Sequence, residues 1–151
     1  MTIKEFETQA NIILIADDDP DDRLLVKEAF EESEWKNPLH FVADGVELLD
    51  YLFRRGVYRD FAGDPLPDLI LLDLNMPRKN GIEALEEIKN EPKLKTIPII
   101  IFTTSKAEED ILRSYNLGVN SFITKPVSFD LLTELTQTLT KYWFEIVELP
   151  R

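Results

Sequence analysis

The residues best suited to chemistry in this chain are acids, hydroxyls and one amine placed directly after short apolar runs. Asp17 and Asp18 follow ILIA, Asp73 follows LILL, Thr103 and Thr104 follow IIIF, and Lys125 with Pro126 follows SFIT. Carboxylates brought together repel: two unit charges roughly 4 Å apart cost about 4 kcal/mol at an effective dielectric of about 20, so a group formed by Asp17, Asp18 and Asp73 favours a bound cation. Oxygen-only donors point to Mg2+, which binds through a few carboxylates and keeps waters that a phosphate oxygen can replace. A carboxylate that attacks phosphorus needs its own charge and that of the incoming oxygens offset together, which a divalent cation and an ammonium can do. Asp73 is then the candidate nucleophile, Lys125 the ammonium and Thr103 the hydroxyl donor. Thr104 is the weaker hydroxyl, because strand alternation turns it away.

Each of these residues also has an ordinary structural explanation. In the run DDDPDD, Asp19 before Pro20 reads as a helix N-cap followed by a first-turn proline, with Asp21 and Asp22 favoured by the helix dipole. That account does not reach Asp17 and Asp18, which belong to the end of the preceding strand. A calcium loop is excluded by the missing ligand alternation, central glycine and terminal glutamate. A threonine at a strand end is often only a β-branched strand residue. His40, the only histidine, falls inside a strand pattern and reads as structural.

The elements that must position these groups follow from hydropathy. Short apolar runs alternate with amphipathic stretches, the pattern of βαβ units on a parallel sheet. The strands are expected at Ile12 to Ala16, Leu39 to Ala43, Leu69 to Asp73, Ile97 to Thr103 and Ser121 to Thr124. Helical spacing occurs at Leu24, Leu25, Ala29 and Phe30, at Val46, Leu49 and Phe53, and at Ile82, Leu85 and Ile88, with further helices over Glu108 to Leu117 and Phe129 to Glu148. The fold class is therefore α/β, a five-stranded parallel sheet with helices on both faces. Functional groups in such sheets gather at the carboxyl ends of the strands, near a reversal of strand order. The long loop Gly56 to Pro67 joins the second helix to the third strand.

Composition narrows the function further. At 151 residues the chain suits one domain, with a core at about 11–147 and short extensions. A net charge of -12 without a basic patch argues against nucleic acid as a partner. The absence of cysteine excludes disulfides and thiolate chemistry and fits a reducing compartment. The start, MTIKEFETQA, lacks the layout of a signal peptide, and no apolar run approaches the roughly 18 residues of a membrane span, so a cytoplasmic protein is expected.

Taken together and in order, ILIADDDPDD, LILLDLNMPRKNG, PIIIFTTS and GVNSFITKP resemble the receiver domains of two-component response regulators, including the single-domain chemotaxis type. The resemblance spans nearly the whole chain and implies a flavodoxin-like (βα)5 fold. It further implies that Asp73 accepts a phosphoryl group from a sensor histidine kinase. Asp18 would then ligate Mg2+ directly and Asp17 largely through water, with the backbone carbonyl of Asn75 completing the protein's share. Thr103 matches the switch hydroxyl, Lys125 the family's lysine, and the bond from Lys125 to Pro126 would be cis. Phe122 takes an aromatic switch position where the family often has tyrosine, and it has no hydroxyl to donate. The long loop and the ending KYWFEIVELPR are similar to the subgroup paired with bacterial and cyanobacterial phytochromes.

Two other chemistries fit less well. A haloacid-dehalogenase-type phosphatase would carry a second aspartate two residues after the nucleophile, where this chain has Asn75, and its metal-binding acids would follow Asp73 rather than precede it. A flavodoxin-type flavin module would cradle phosphate with hydroxyls and amides after the first strand rather than present carboxylates there. A receiver-like adaptor that is never phosphorylated would not need every chemical position filled. The signal is expected to leave through a downstream protein or a phosphotransfer protein. In the last helix, Leu131, Leu135, Leu139, Tyr142 and Ile146 share one stripe and are expected to face the core. That leaves Phe144, with Trp143 at the margin, for a homodimer contact through the fourth helix, fifth strand and fifth helix.

Overall fold

The apolar runs form the strands β1 (Ile13–Ala16), β2 (Leu39–Val42), β3 (Leu69–Leu72), β4 (Ile99–Thr103) and β5 (Ser121–Thr124) of one parallel sheet in a computed structural model that describes residues 11–150. The opening segment MTIKEFETQA lies outside the described residues. Among the described residues five α-helices connect and flank the strands: α1 (Pro20–Glu32), α2 (Gly45–Phe53), α3 (Gly81–Lys89), α4 (Glu108–Asn116) and α5 (Phe129–Lys141). Strand order is β2-β1-β3-β4-β5, so chain direction across the sheet reverses between β1 and β3. The (βα)5 fold expected from the sequence is present.

Alternation along the strands builds two apolar layers. Leu14, Ala16, Ile70, Leu72, Ile99 and Ile101 pack with Leu48, Leu49 and Leu52 of α2 and Ile82, Leu85 and Ile88 of α3. Ile13, Ile15, Leu69, Leu71, Ile100 and Phe102 face the other way, onto Val26, Ala29 and Phe30 of α1 and Leu132 and Leu139 of α5. The central strands β1, β3 and β4 are buried throughout, as strands covered on both faces must be.

Capping sets where the helices begin. Asp19 accepts from Asp21 N with Pro20 in the first turn, so the structural reading of Asp19 holds. Asp44 caps α2, and Asn80 with Glu83 forms a capping box on α3. The long loop contains a 3-10 turn, Gly56–Phe61, and is tied back by side chains. Arg54 donates to Asp64 O and Pro65 O at 3.3 and 2.9 Å, and Tyr58 donates to Glu47 Oε2 at 2.7 Å.

Two helix faces differ from expectation. In α1, Leu24 and Leu25 are exposed, and Val26, Ala29 and Phe30 are the buried residues. In α5 the face on the sheet is Leu132, Thr136 and Leu139, whereas Leu131, Tyr142 and Ile146 are 50, 49 and 60% exposed. The hydroxyl of Thr136 lies 2.6 Å from that of Ser33, where α5 meets α1. A pattern that counts only apolar residues gives that contact no weight. Beyond Lys141 the chain continues in a π turn, Tyr142–Ile146, whose wider winding carries later side chains off the α-helical stripe. Trp143 and Phe144 therefore pack against the α1/α5 layer, and the Phe144 ring lies 5.0 Å from that of Trp35. Phe144 is not left over for a partner. Among the described residues no helix is long and apolar enough to cross a membrane.

Candidate functional site

The parallel ladder runs past the strand ends and fixes the backbone of each chemical residue. Asp17 N donates to Val42 O at 3.0 Å, Asp73 N to Ala16 O at 3.0 Å and Lys125 N to Thr103 O at 2.8 Å. Asp17 and Asp73 thus leave adjacent strands on either side of the point where strand order reverses, the usual place for a ligand in such sheets. Behind Asp73, Gly81 donates from its N to Leu74 O at 2.9 Å, and a Cβ there would lie 2.4 Å from Asp73 O. Only a residue without a side chain lets α3 start this close to the acid.

The side chains converge on Asp73, which is 6% exposed. Its Oδ1 accepts from Thr103 Oγ1 at 2.7 Å and from Asn75 N at 3.2 Å, and its Oδ2 accepts from Lys125 Nζ at 2.8 Å. The same ammonium donates to Asp17 Oδ2 at 2.7 Å and to Asp22 Oδ2 at 2.8 Å. Thr103 is fully buried and Thr104 exposed, as alternation requires. Thr103 Oγ1 also accepts from Ser105 N at 3.4 Å, which joins the loop after β4 to the acid.

Burial and pairing compete in the electrostatics. Desolvation holds the Asp17 carboxyl above the usual carboxylate range, although Lys125 and the N–H of Asp19 oppose it. Burial alone would lower Lys125, but bonds to Asp17, Asp22 and Asp73 outweigh it and hold the ammonium well above the ordinary lysine value. Both directions have one origin: a single cation is divided among several acids, so Asp17 receives less compensation than its burial demands.

Asp17, Asp18 and Asp73 each offer a carboxylate oxygen, all within 4.8 Å of one another. Asp18 is exposed and Asp17 and Asp73 are buried, so the group opens to solvent on one side. Hard oxygen donors, excess negative charge and access from water fit a divalent cation. Asn75 begins the loop beside Asp73, with its N–H already on that carboxylate.

The structure thus brings Asp17, Asp18, Asp73, Asn75, Thr103 and Lys125 together. Phe122 stands apart, half-buried against the α2/α3 layer, with its N–H on Tyr115 Oη at 3.2 Å. His40 is remote, hydrogen-bonded through Nδ1 to Tyr51 Oη at 2.6 Å. The bond from Lys125 to Pro126 is trans, against the cis bond expected from the resemblance. Trans is favoured by about 0.5–1 kcal/mol before proline, and Lys125 makes its contacts to Thr103 and the three carboxylates from that form. Asp22 and Arg23 also reach the site, which the sequence pattern does not indicate. Asp22 had a sufficient explanation as a first-turn acid, and Arg23 donates from Nη1 to Asp17 O at 2.7 Å. Their only sequence signal is a position one helical turn after the paired acids.

Comparison with known proteins agrees with this geometry. Residues 13–137 match the model of the response regulator receiver domain. The chain is 40% identical over 139 residues to the response regulator Rcp1 of Synechocystis sp., covering 92% of each chain. The solved structure of the phosphorylated cyanobacterial phytochrome response regulator RcpA resembles it with a TM-score of 0.86 at 38% identity, over 95% of this chain and 100% of that one. The Mn2+-bound form of Rcp1 gives 0.83 at 39%, over 93% and 99%. A sheet reversal lined by Asp17 and Asp73, a shared lysine and these relatives lead to one assignment: the chain belongs to the response regulator receiver domain family.

Proposed function

We propose that Asp73 accepts a phosphoryl group from a phosphohistidine of a sensor kinase, and that the chain passes the signal on through protein contacts or further phosphotransfer. The observation that carries this reading is the double hold on Asp73, by Thr103 at Oδ1 and Lys125 at Oδ2, beside the acids of β1. In the transfer, an Asp73 oxygen forms the new O–P bond as the donor's N–P bond breaks, and the bonding electron pair leaves with the donor nitrogen. Asp17, Asp18 and Asp73, with the Asn75 carbonyl, are the residues that would hold Mg2+, which when bound offsets the charge of the phosphoryl oxygens. Lys125 and Thr103 are close enough to Asp73 to donate to those oxygens once a phosphoryl group is attached. The Mn2+-bound form of Rcp1 and the phosphorylated form of RcpA support the same chemistry here. Asn75 stands where a phosphatase would need a proton-shuttling acid, and an amide side chain cannot take that role.

A phytochrome-type kinase is the finer proposal, supported by the similarity to Rcp1 and RcpA. The switch is proposed to pass from Thr103 through the loop after β4 to Phe122. Self-association is proposed through α4, β5 and α5, using the exposed Leu112 and Tyr115 of α4 and the exposed Tyr142 and Ile146 of the π turn that follows α5. A cytoplasmic location fits this role.

Intact-mass measurement after incubation with acetyl phosphate and Mg2+ tests the central claim. One phosphoryl group should be added to the parent and none to Asp73→Asn. Equal labelling of that variant, or labelling undiminished by EDTA, overturns the assignment. Phosphotransfer rates from purified phytochrome kinases against unrelated histidine kinases test the partner.

A further inference from the structure

An ammonium has three N–H donors, and those of Lys125 are fully committed: Asp17 at 2.7 Å, Asp22 at 2.8 Å and Asp73 at 2.8 Å. Two of these acceptors must change partners when the site works. Asp73 becomes the phosphorylated group, and Asp17 belongs to the carboxylate cluster that fits a cation. Asp22 belongs to neither role. It projects from the first turn of α1, outside that cluster, and its side chain is one-third exposed whereas the Lys125 side chain is 11% exposed.

We propose that Asp22 is a positioning residue for phosphoryl acceptance: it anchors the Lys125 ammonium from the α1 side while the other two donors are exchanged between carboxylates and phosphoryl oxygen. The inference rests on the reading of Asp73 as the acceptor. Lysine is a flexible four-carbon stem carrying a point charge, so its direction is set by whatever holds the nitrogen. Released from Asp22, the ammonium has one idle donor and a larger range of positions, and it meets the incoming phosphoryl group in the right place less often. Asp22 also adds negative charge near an anionic donor, which by itself slows phosphorylation. A neighbouring acid must therefore serve as the charge control. Asp21 is exposed on the same turn, and its side chain is not among those bonded to Lys125.

The test measures initial rates of phosphorylation of the full chain by acetyl phosphate at saturating Mg2+ for the parent, Asp22→Ala, Asp22→Asn and Asp21→Ala. The Lys125 ammonium 15N–1H NMR signal, visible only while its protons are protected, is recorded in parallel. Asp22→Ala should be about threefold slower than Asp21→Ala, an effect of the size typical of a partly exposed ion pair. Asp22→Asn should recover part of the rate, since its amide oxygen still accepts. The ammonium signal should broaden or vanish in Asp22→Ala and persist in Asp21→Ala. A role limited to stabilising α1 would leave that signal unmoved. Equal rates for Asp22→Ala and Asp21→Ala, or an unchanged signal in Asp22→Ala, overturns the proposal. If the alanine variant does not fold, Asp22→Leu, which offers Lys125 no acceptor, against Asp21→Leu decides on the same two readouts. A parent that takes up no phosphoryl group overturns the acceptor reading instead.

Discussion

Thr103 donates its hydroxyl proton to Asp73 Oδ1 at 2.7 Å while accepting from Ser105 N at 3.4 Å, so one buried side chain joins the reacting acid to the loop after β4. A phosphoryl group on Asp73 would compete for that proton. A charge-assisted hydrogen bond contributes about 1.5–3 kcal/mol, short of the roughly 5.5 kcal/mol needed to move an equilibrium from 1:99 to 99:1, so partial switching is expected without a partner. Thr103→Ala should still accept phosphate but lose the phosphorylation-dependent NMR shift at Phe122. The same shift in variant and parent would refute the coupling.

Gly81 separates a test of acceptor placement from a test of charge. Substitution by alanine puts a methyl group against Asp73 O, at the 2.4 Å approach found for a Cβ. Backbone on both sides cannot yield cheaply, so a loss of about 1–3 kcal/mol is expected in urea denaturation. Phosphorylation should fall as well, because the β3 end must shift to make room.

His40 sets an expectation for pH. Burial, with a smaller contribution from nearby Arg54, holds its imidazole below the ordinary value of 6.5. The unfolded chain then binds the proton more readily than the folded one, so stability rises with pH below 6.5 and levels off above it. The contribution is lost as pH falls through the lowered folded value. NMR titration of the His40 ring should show a midpoint below 6.5; a midpoint at or above it would contradict the packing against Tyr51.

The C-terminal turn separates folding from association. Phe144 lies against Trp35, so Phe144→Ala should destabilise the monomer by about 1–3 kcal/mol, less than the full cost of emptying a core aromatic site. It should also change the emission of Trp35. Paired Leu112→Ser and Ile146→Ser substitutions touch exposed side chains and should leave stability within about 0.5 kcal/mol. They are expected to weaken a dimer in sedimentation runs with beryllofluoride at micromolar concentration. A strict monomer in the parent, with and without beryllofluoride, removes the self-association proposal.

Much of this protein is legible along one dimension. Apolar runs of four or five residues bounded by acids and turns can satisfy their backbone only by pairing, and amphipathic stretches between them force parallel order, so the sheet and its strand-end residues follow from local pattern. The cap at Asp19 is equally local, since its partner Asp21 N is two residues away. What the pattern could not decide lies between residues far apart in sequence. Lys125 reaches Asp22 across 103 residues and Asp17 across 108, and sharing of that ammonium depends on where α1 docks against the sheet. The face of α5 turns the Thr136 hydroxyl to Ser33 at the C-cap of α1, and the place of Phe144 follows from a π turn that a fixed 100° rotation per residue cannot foresee. Local composition names the groups able to do chemistry; the packing of layers determines which of them share one charge.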